Sequence, residues 1–237
     1  MIYNSVIYIL NSINYYLIIM SFCLDTIVID PEKDNEIKNA VILLHGYGGD
    51  GKDISLLTLN WKRFLKNTIF LCPNGHEKCE INPLGYQWFD LSVDDEEYIL
   101  NKSLNAETII KQFIEEVKIK YTLSNKNIVL SGFSQGCMMS INVGLSSDEE
   151  YNCVVGFSGK IINRKNLQSR IKNKTKTLLI HGNKDEIVSS TYLLEAKDFF
   201  DRNKININTK LINNSGHHIP LEASSLALDY IKKSLAS

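Results

Sequence analysis

Residues 127–145 read Asn-Ile-Val-Leu-Ser-Gly-Phe-Ser-Gln-Gly-Cys-Met-Met-Ser-Ile-Asn-Val-Gly-Leu. The run Asn127 to Leu130 is a short β-branched apolar stretch of the kind that forms a buried strand, and Gln135 to Leu145 carries Cys137, Met138, Met139, Ile141 and Val143 along a helix. Between them, Gly132-Phe133-Ser134-Gln135-Gly136 has the G-x-S-x-G form of a nucleophile elbow. The form has a mechanical reason. The serine sits on a strained turn, and only glycine two residues before and two after lets the neighbouring backbone pack closely enough. By residue frequencies such a pentapeptide arises by chance in about one chain in twelve of this length. Strand, elbow and helix in direct succession lift it above chance.

The alternation extends outward on both sides. Apolar runs at Thr26 to Ile29, Ala40 to Leu44, Thr68 to Cys72, Cys153 to Phe157, Thr177 to Ile180 and Asn208 to Ile212 are separated by helical stretches at Ile54 to Leu65, Leu104 to Tyr121, Thr191 to Asn203 and Leu221 to Leu235. This order predicts a single-domain α/β fold, a mostly parallel sheet with helices on both faces. No linker or composition break divides it, so residues 25–237 are expected to form one unit. Only Pro73 to Tyr98, punctuated by Gly75, Pro83 and Gly85, interrupts the rhythm, and insertions of that kind after a strand often build a ligand wall.

A serine nucleophile needs a base, and the base an orienting acid. On a fold with this elbow they come after the nucleophile, acid then histidine, on loops after later strands. Asp185 closes His181-Gly182-Asn183-Lys184-Asp185 after one apolar run, and two imidazoles close Asn213-Asn214-Ser215-Gly216-His217-His218 after the next. Oxyanion donors come from the backbone after the nucleophile and from an early glycine-rich loop, here His45-Gly46-Tyr47-Gly48-Gly49-Asp50-Gly51. That assigns the N–H groups of Tyr47 and Gln135. The loop is not a Walker phosphate cradle, because Gly51-Lys52 is followed by Asp53 where Ser or Thr would be needed.

Taken together, LLHGYGGDG at 43–51, GYQWFDL at 85–91, GFSQGCMMS at 132–140, HGNKDEIV at 181–188 and GHHIP at 216–220 resemble the phospholipase/carboxylesterase family of α/β hydrolases. That family includes acyl-protein thioesterases and small bacterial carboxylesterases, and the likeness spans nearly all of residues 25–237. It implies an essentially lidless α/β-hydrolase fold that cleaves carboxylic esters or thioesters through an acyl-enzyme. Ser134 would be the nucleophile and Asp185 the acid. Because family members place the base directly after a glycine, His217 is preferred to His218. By the same matching Trp88 and Phe89 lie near the acyl pocket, with Leu56, Leu57 and Val188 as further candidates. Small esters, thioesters, lysolipids and acylated proteins are the implied substrates, and no metal or organic cofactor is required. Two other readings stand beside this one: a lysophospholipase acting at a membrane surface, and a non-catalytic acyl-binding module on the same fold. A homodimer is compatible with each of these readings.

Composition removes other classes. Lys and Arg total 26 against 27 Asp and Glu, a net charge of −1 with no dense basic cluster, which sets nucleic acid aside. The cysteines Cys23, Cys72, Cys79, Cys137 and Cys153 include no C-x-x-C pair, so neither a disulfide framework nor a zinc knuckle is expected and a reducing cytoplasm fits. Residues 1–24 carry no charge, yet their most apolar run, Tyr15 to Met20, is far shorter than the roughly 20 residues of a transmembrane helix. A spurious or disordered extension with the true start at Met20, a membrane-associating or export segment, and a packed N-terminal element are the readings this allows.

Other singled-out residues have plain structural readings. His45 and His181, each before a glycine at a strand end, are expected to hydrogen-bond loop backbone. Asp50 and Asp53 read as turn and N-cap residues. Cys137, Met138 and Trp61 read as core, and Trp88 suits the core as well as the pocket. The acidic run Asp94 to Glu97 reads as a solvated turn entering the long helix.

Overall fold

The computed structural model describes residues 5–11, 14–20, 22–32 and 35–236. In chain order the elements are β1 (Ser5–Asn11), β2 (Asn14–Met20), β3 (Thr26–Ile29), β4 (Asn39–Leu44), α1 (Gly51–Ser55), α2 (Thr58–Trp61), β5 (Thr68–Pro73), β6 (Glu77–Lys78) and β7 (Tyr86–Gln87). After these come α3 (Glu96–Tyr121), β8 (Ile128–Phe133), α4 (Gln135–Ser146), β9 (Cys153–Phe157), α5 (Arg164–Ser169), β10 (Thr177–Gly182), α6 (Thr191–Arg202), β11 (Ile207–Ile212) and α7 (Leu221–Leu235). One seven-stranded sheet runs in the order β11-β10-β9-β8-β4-β5-β3, with β3 antiparallel to β5 and the other pairs parallel. β1 and β2 pair with each other in a separate antiparallel ribbon, Ser5 opposite Met20. Among the described residues no helix is long and apolar enough to cross a membrane.

Side-chain alternation along the strands sends neighbours into opposite cores. On β4, Ala40, Ile42 and Leu44 pack with α3, α4 and α6, whereas Val41 and Leu43 pack with α1, α2 and α7. Trp61 on one face and Phe113 on the other are fully buried, each contributing about 2–3 kcal/mol of hydrophobic stabilisation. Strand register decides where the loops come out. Leu44 lies opposite Gly132, Phe133 opposite Phe157 and Gly182 opposite Ile212, so the loops after β4, β8, β9, β10 and β11 emerge at one edge of the sheet. Ligands of open α/β sheets bind at that edge.

Three details depart from the sequence reading. The long helix begins at Glu96, two turns before Leu104, because the Asp95 carboxylate caps it by accepting the Tyr98 N–H at 2.7 Å while Glu96 and Glu97 sit at its positive end. The stretch Ile54 to Leu65 is divided into α1 and α2 by a turn at Leu56 and Leu57. α5 and the β6–β7 ribbon are too short for periodicity to announce. That ribbon belongs to the insertion Pro73 to Tyr98, which folds back onto the glycine-rich loop: Gly48 N–H donates to Tyr86 O at 2.9 Å and Tyr86 N–H to Gly49 O at 2.8 Å.

Candidate active site

β8 runs without interruption into Ser134, whose backbone is forced to φ +52° and ψ −114°. A non-glycine residue there is strained, and the surroundings show what holds it. The Ser134 N–H donates to Phe157 O on β9 at 2.8 Å. A Cβ on Gly132 would collide with the Gly136 backbone, and one on Gly136 with the Leu44 carbonyl of β4. The glycines of the elbow are therefore required by contact with each other and with the neighbouring strand. Gln135 opens α4, a helix buried along its whole length, so its N–H lies in the unpaired, positive first turn.

Asp185 and His217 meet where the loops after β10 and β11 converge. His217 Nδ1 lies 2.8 Å from Asp185 Oδ2, while Asp185 Oδ1 accepts the N–H groups of Ile187 at 3.0 Å and Val188 at 2.8 Å. Burial by itself would raise the Asp185 pKa, but the bonds from His217 and the Val188 and Ile187 amides outweigh it and hold the carboxyl below its ordinary value. An ionised Asp185 takes the Nδ1–H of His217, which leaves Nε2 as the basic atom. The Phe133 ring, one residue before the elbow serine, packs on the His217 imidazole with centroids 4.8 Å apart. His218 is exposed, and the carboxylate is bonded to its neighbour. His181 does bond loop backbone, Nε2 to Val188 O at 2.8 Å, and the same nitrogen lies 3.3 Å from Asp185 Oδ2.

The glycine-rich loop is held from beneath. Neutral His45 bridges two loops, with Nδ1 2.7 Å from Gly46 O and Nε2 accepting the Gly75 N–H at 2.8 Å. Burial pushes its pKa down, which suits this bonding pattern. Gly48 N–H and Gly49 N–H are occupied by Tyr86 O and Gly46 O, whereas among the described residues no acceptor takes the Tyr47 N–H. Asp50 caps α1 by accepting the Asp53 N–H.

A cavity of about 550 Å³ opens beside these groups. Its walls include Tyr47, Leu56, Leu57, Phe133, His217 and Leu221. Of the side chains expected at an acyl pocket, Leu56 and Leu57 line it, but Trp88, Phe89 and Val188 do not. Trp88 and Phe89 are buried in the apolar core, where the Trp88 indole N–H donates to the His45 carbonyl at 2.9 Å. The backbone of the same pair clasps the Gln135 side chain, Trp88 N–H to Oε1 at 2.8 Å and Nε2 to Phe89 O at 2.6 Å. Val188 is buried beside Asp185 and serves it through its N–H. Sequence reasoning missed the Gln135 side chain and the supporting part played by Trp88. A polar residue inside an otherwise apolar helix start was the available signal. Among the described residues no cluster of three His, Cys, Asp or Glu side chains could hold a metal ion.

The family model described as Phospholipase/Carboxylesterase matches residues 25–235 of this chain. Acyl-protein thioesterase 1 of Kluyveromyces lactis is 25% identical over 217 residues, which cover 86% of this chain and 95% of the relative. Acyl-protein thioesterase 1 homolog 1 of Dictyostelium discoideum is 27% identical over 207 residues, 82% of this chain and 90% of the relative. Among solved structures, esterase PE8 superposes with a TM-score of 0.84 at 30% identity, covering 89% of this chain and 98% of that one.

Proposed function

The chain belongs to the phospholipase/carboxylesterase family, and from that premise we propose that Ser134, His217 and Asp185 are its catalytic triad. Family membership makes it a serine hydrolase of carboxylic ester or thioester bonds. The observation that carries the residue assignment is the 2.8 Å contact between His217 Nδ1 and the ionised Asp185, on the same sheet edge as the strained Ser134.

In the proposed cycle Ser134 Oγ attacks the acyl carbonyl as its proton passes to His217 Nε2, and Asp185 stabilises the imidazolium. The N–H groups of Tyr47 and Gln135 receive the oxyanion. Collapse expels the alcohol or thiol, which takes the proton from His217. Water then enters, loses a proton to His217, and releases the carboxylic acid by the reverse steps. The leucine-walled cavity takes the acyl chain. Acyl chains borne by proteins or by small esters both suit it, and the thioesterase relatives favour the former.

Ser134→Ala is the test. It is expected to abolish hydrolysis of a p-nitrophenyl acyl ester and labelling by a fluorophosphonate probe. Turnover retained by that variant would refute the assignment, and a wild-type protein that binds acyl chains yet never labels would favour the non-catalytic binding module.

A further inference from the structure

Residues 51–66 read GKDISLLTLNWKRFLK and contain α1 and α2. Backbone bonds bridge the turn between the helices, Leu57 N–H to Ile54 O at 3.2 Å and Leu59 N–H to Leu56 O at 3.3 Å, so helical spacing is kept across it. Ile54, Thr58, Trp61 and Leu65 form one stripe and are buried. A second stripe, Lys52, Leu56, Leu59, Arg63 and Lys66, repeats at intervals of four and three and is exposed at every position. Leu56 is 62% exposed and Leu59 73%. The solvent face of a surface helix ordinarily carries polar side chains, whereas here leucines fill the middle of the face and cations its two ends.

What surrounds the stripe points to its partner. Leu56 is at once part of the exposed stripe and a wall of the cavity, and Leu221, 70% exposed, lines the cavity from α7. Phe64, half exposed, lies between the Arg63 guanidinium and the Lys232 ammonium, each 5.2 Å from its ring centroid. Against Lys52, Lys62, Arg63 and Lys66 the segment has a single acid, Asp53, with Glu222 beside Leu221. Among the described residues none of those four cations is held in an ion pair.

We propose that this stripe seats the protein on an anionic phospholipid bilayer with the cavity mouth turned to the lipid. Leu56, Leu59 and Phe64 enter the boundary between headgroups and acyl chains, and Lys52, Arg63 and Lys66 meet lipid phosphates. A bilayer-held acyl group then enters the cavity past Leu56 and Leu221, toward Tyr47 and His217. The inference rests on reading the cavity as the acyl site. A second copy of the chain is the less suitable occupant, because a two-fold contact would set the cationic stripe against itself.

The test is cosedimentation of the full-length Ser134→Ala protein with phosphatidylcholine vesicles, with and without phosphatidylserine. Binding is expected with phosphatidylserine and reduced by added salt. The further changes Arg63→Gln and Lys66→Gln together should lower the partition coefficient about 30-fold, and Leu59→Ser should weaken it several-fold. In the Ser134→Ala background none of this depends on turnover. With Ser134 restored, neither Leu59→Ser nor the charge variant should alter hydrolysis of a short soluble ester, since none of these residues lines the cavity. No binding, or binding that both variants keep, overturns the proposal, as does a concentration-dependent rise in mass abolished by Leu59→Ser, which would assign the face to a second copy. Failure of the hydrolase reading would show separately, as a wild-type protein with no turnover of the soluble ester.

Discussion

Gln135 is fastened to the Trp88–Phe89 backbone through both ends of its side-chain amide, at 2.8 Å and 2.6 Å. Trp88 in turn bonds the His45 carbonyl, and His45 bonds Gly46 O and Gly75 N–H. One buried chain of hydrogen bonds thus joins the elbow to the glycine-rich loop, the two segments that supply the proposed oxyanion donors.

Replacing Gln135 by Ala leaves the Trp88 N–H and the Phe89 carbonyl buried without partners, at a cost of about 2–4 kcal/mol in stability. Because the donors act on charge that develops only in the transition state, kcat should fall about 10- to 100-fold while KM changes less than about threefold. Urea unfolding and steady-state kinetics on a soluble ester give both numbers. A large rise in KM with kcat intact would show that Gln135 shapes the pocket instead.

Asp185→Asn keeps the shape of the acid but removes the charge that orders the His217 Nδ1–H. A loss of about 10³- to 10⁴-fold in kcat is expected, with the protein still folded. His217→Ala should match the Ser134→Ala loss, whereas His218→Ala should stay within about threefold of wild type. Equal losses in the two histidine variants would contradict the carboxylate contact as the deciding feature.

The strands were legible because a sheet covered on both faces yields short, nearly continuous apolar runs, and β3, β9 and α7 begin and end where those runs do. Trp88 was not. Whether an aromatic residue in an insertion faces a cavity or the core depends on tertiary contacts, here core packing and an indole bond to a carbonyl 43 residues away. Glu107 escaped for the same reason. It lies on the inner face of α3, buried against Ser146 of α4 and paired with Arg170, 63 residues later, and no local pattern announces such a partner. The triad order could be read because the elbow dictates it, but the choice between adjacent histidines is a matter of loop geometry.

His45 makes stability depend on pH. Burial holds its pKa below 6.5, against a smaller opposite pull from its Gly46 bond and from Asp50 and Asp53. As pH falls from about 6.5 toward the lowered folded value, the unfolded chain binds the proton first, so stability declines across that window by at most about 1.4 kcal/mol per pH unit for this residue. His181, its pKa also lowered chiefly by burial, adds in the same direction. The urea midpoint should therefore drop between pH 7 and pH 5. His45→Gln, whose side-chain carbonyl can take the Gly75 N–H, should flatten that drop, and an unchanged slope would mean that His45 does not cause it.

The strain at Ser134 predicts a gain as well as a loss. Its φ of +52° is held by the Phe157 carbonyl and by the close packing of Gly132 on Gly136, and the strain has no counterpart in the unfolded chain. Glycine adopts that conformation freely, although it also raises the entropy of the unfolded state. Strain relief of about 1–3 kcal/mol against an entropic loss of about 1 leaves Ser134→Gly inactive yet about 1 kcal/mol more stable than Ser134→Ala. Ser134→Ala keeps the Cβ and so keeps the strain, which makes it the proper reference. Paired urea denaturation of the two variants measures the difference directly. A glycine variant no more stable than the alanine one would mean that the elbow geometry is not strained by its serine, and that the folded state gives up nothing to present the hydroxyl.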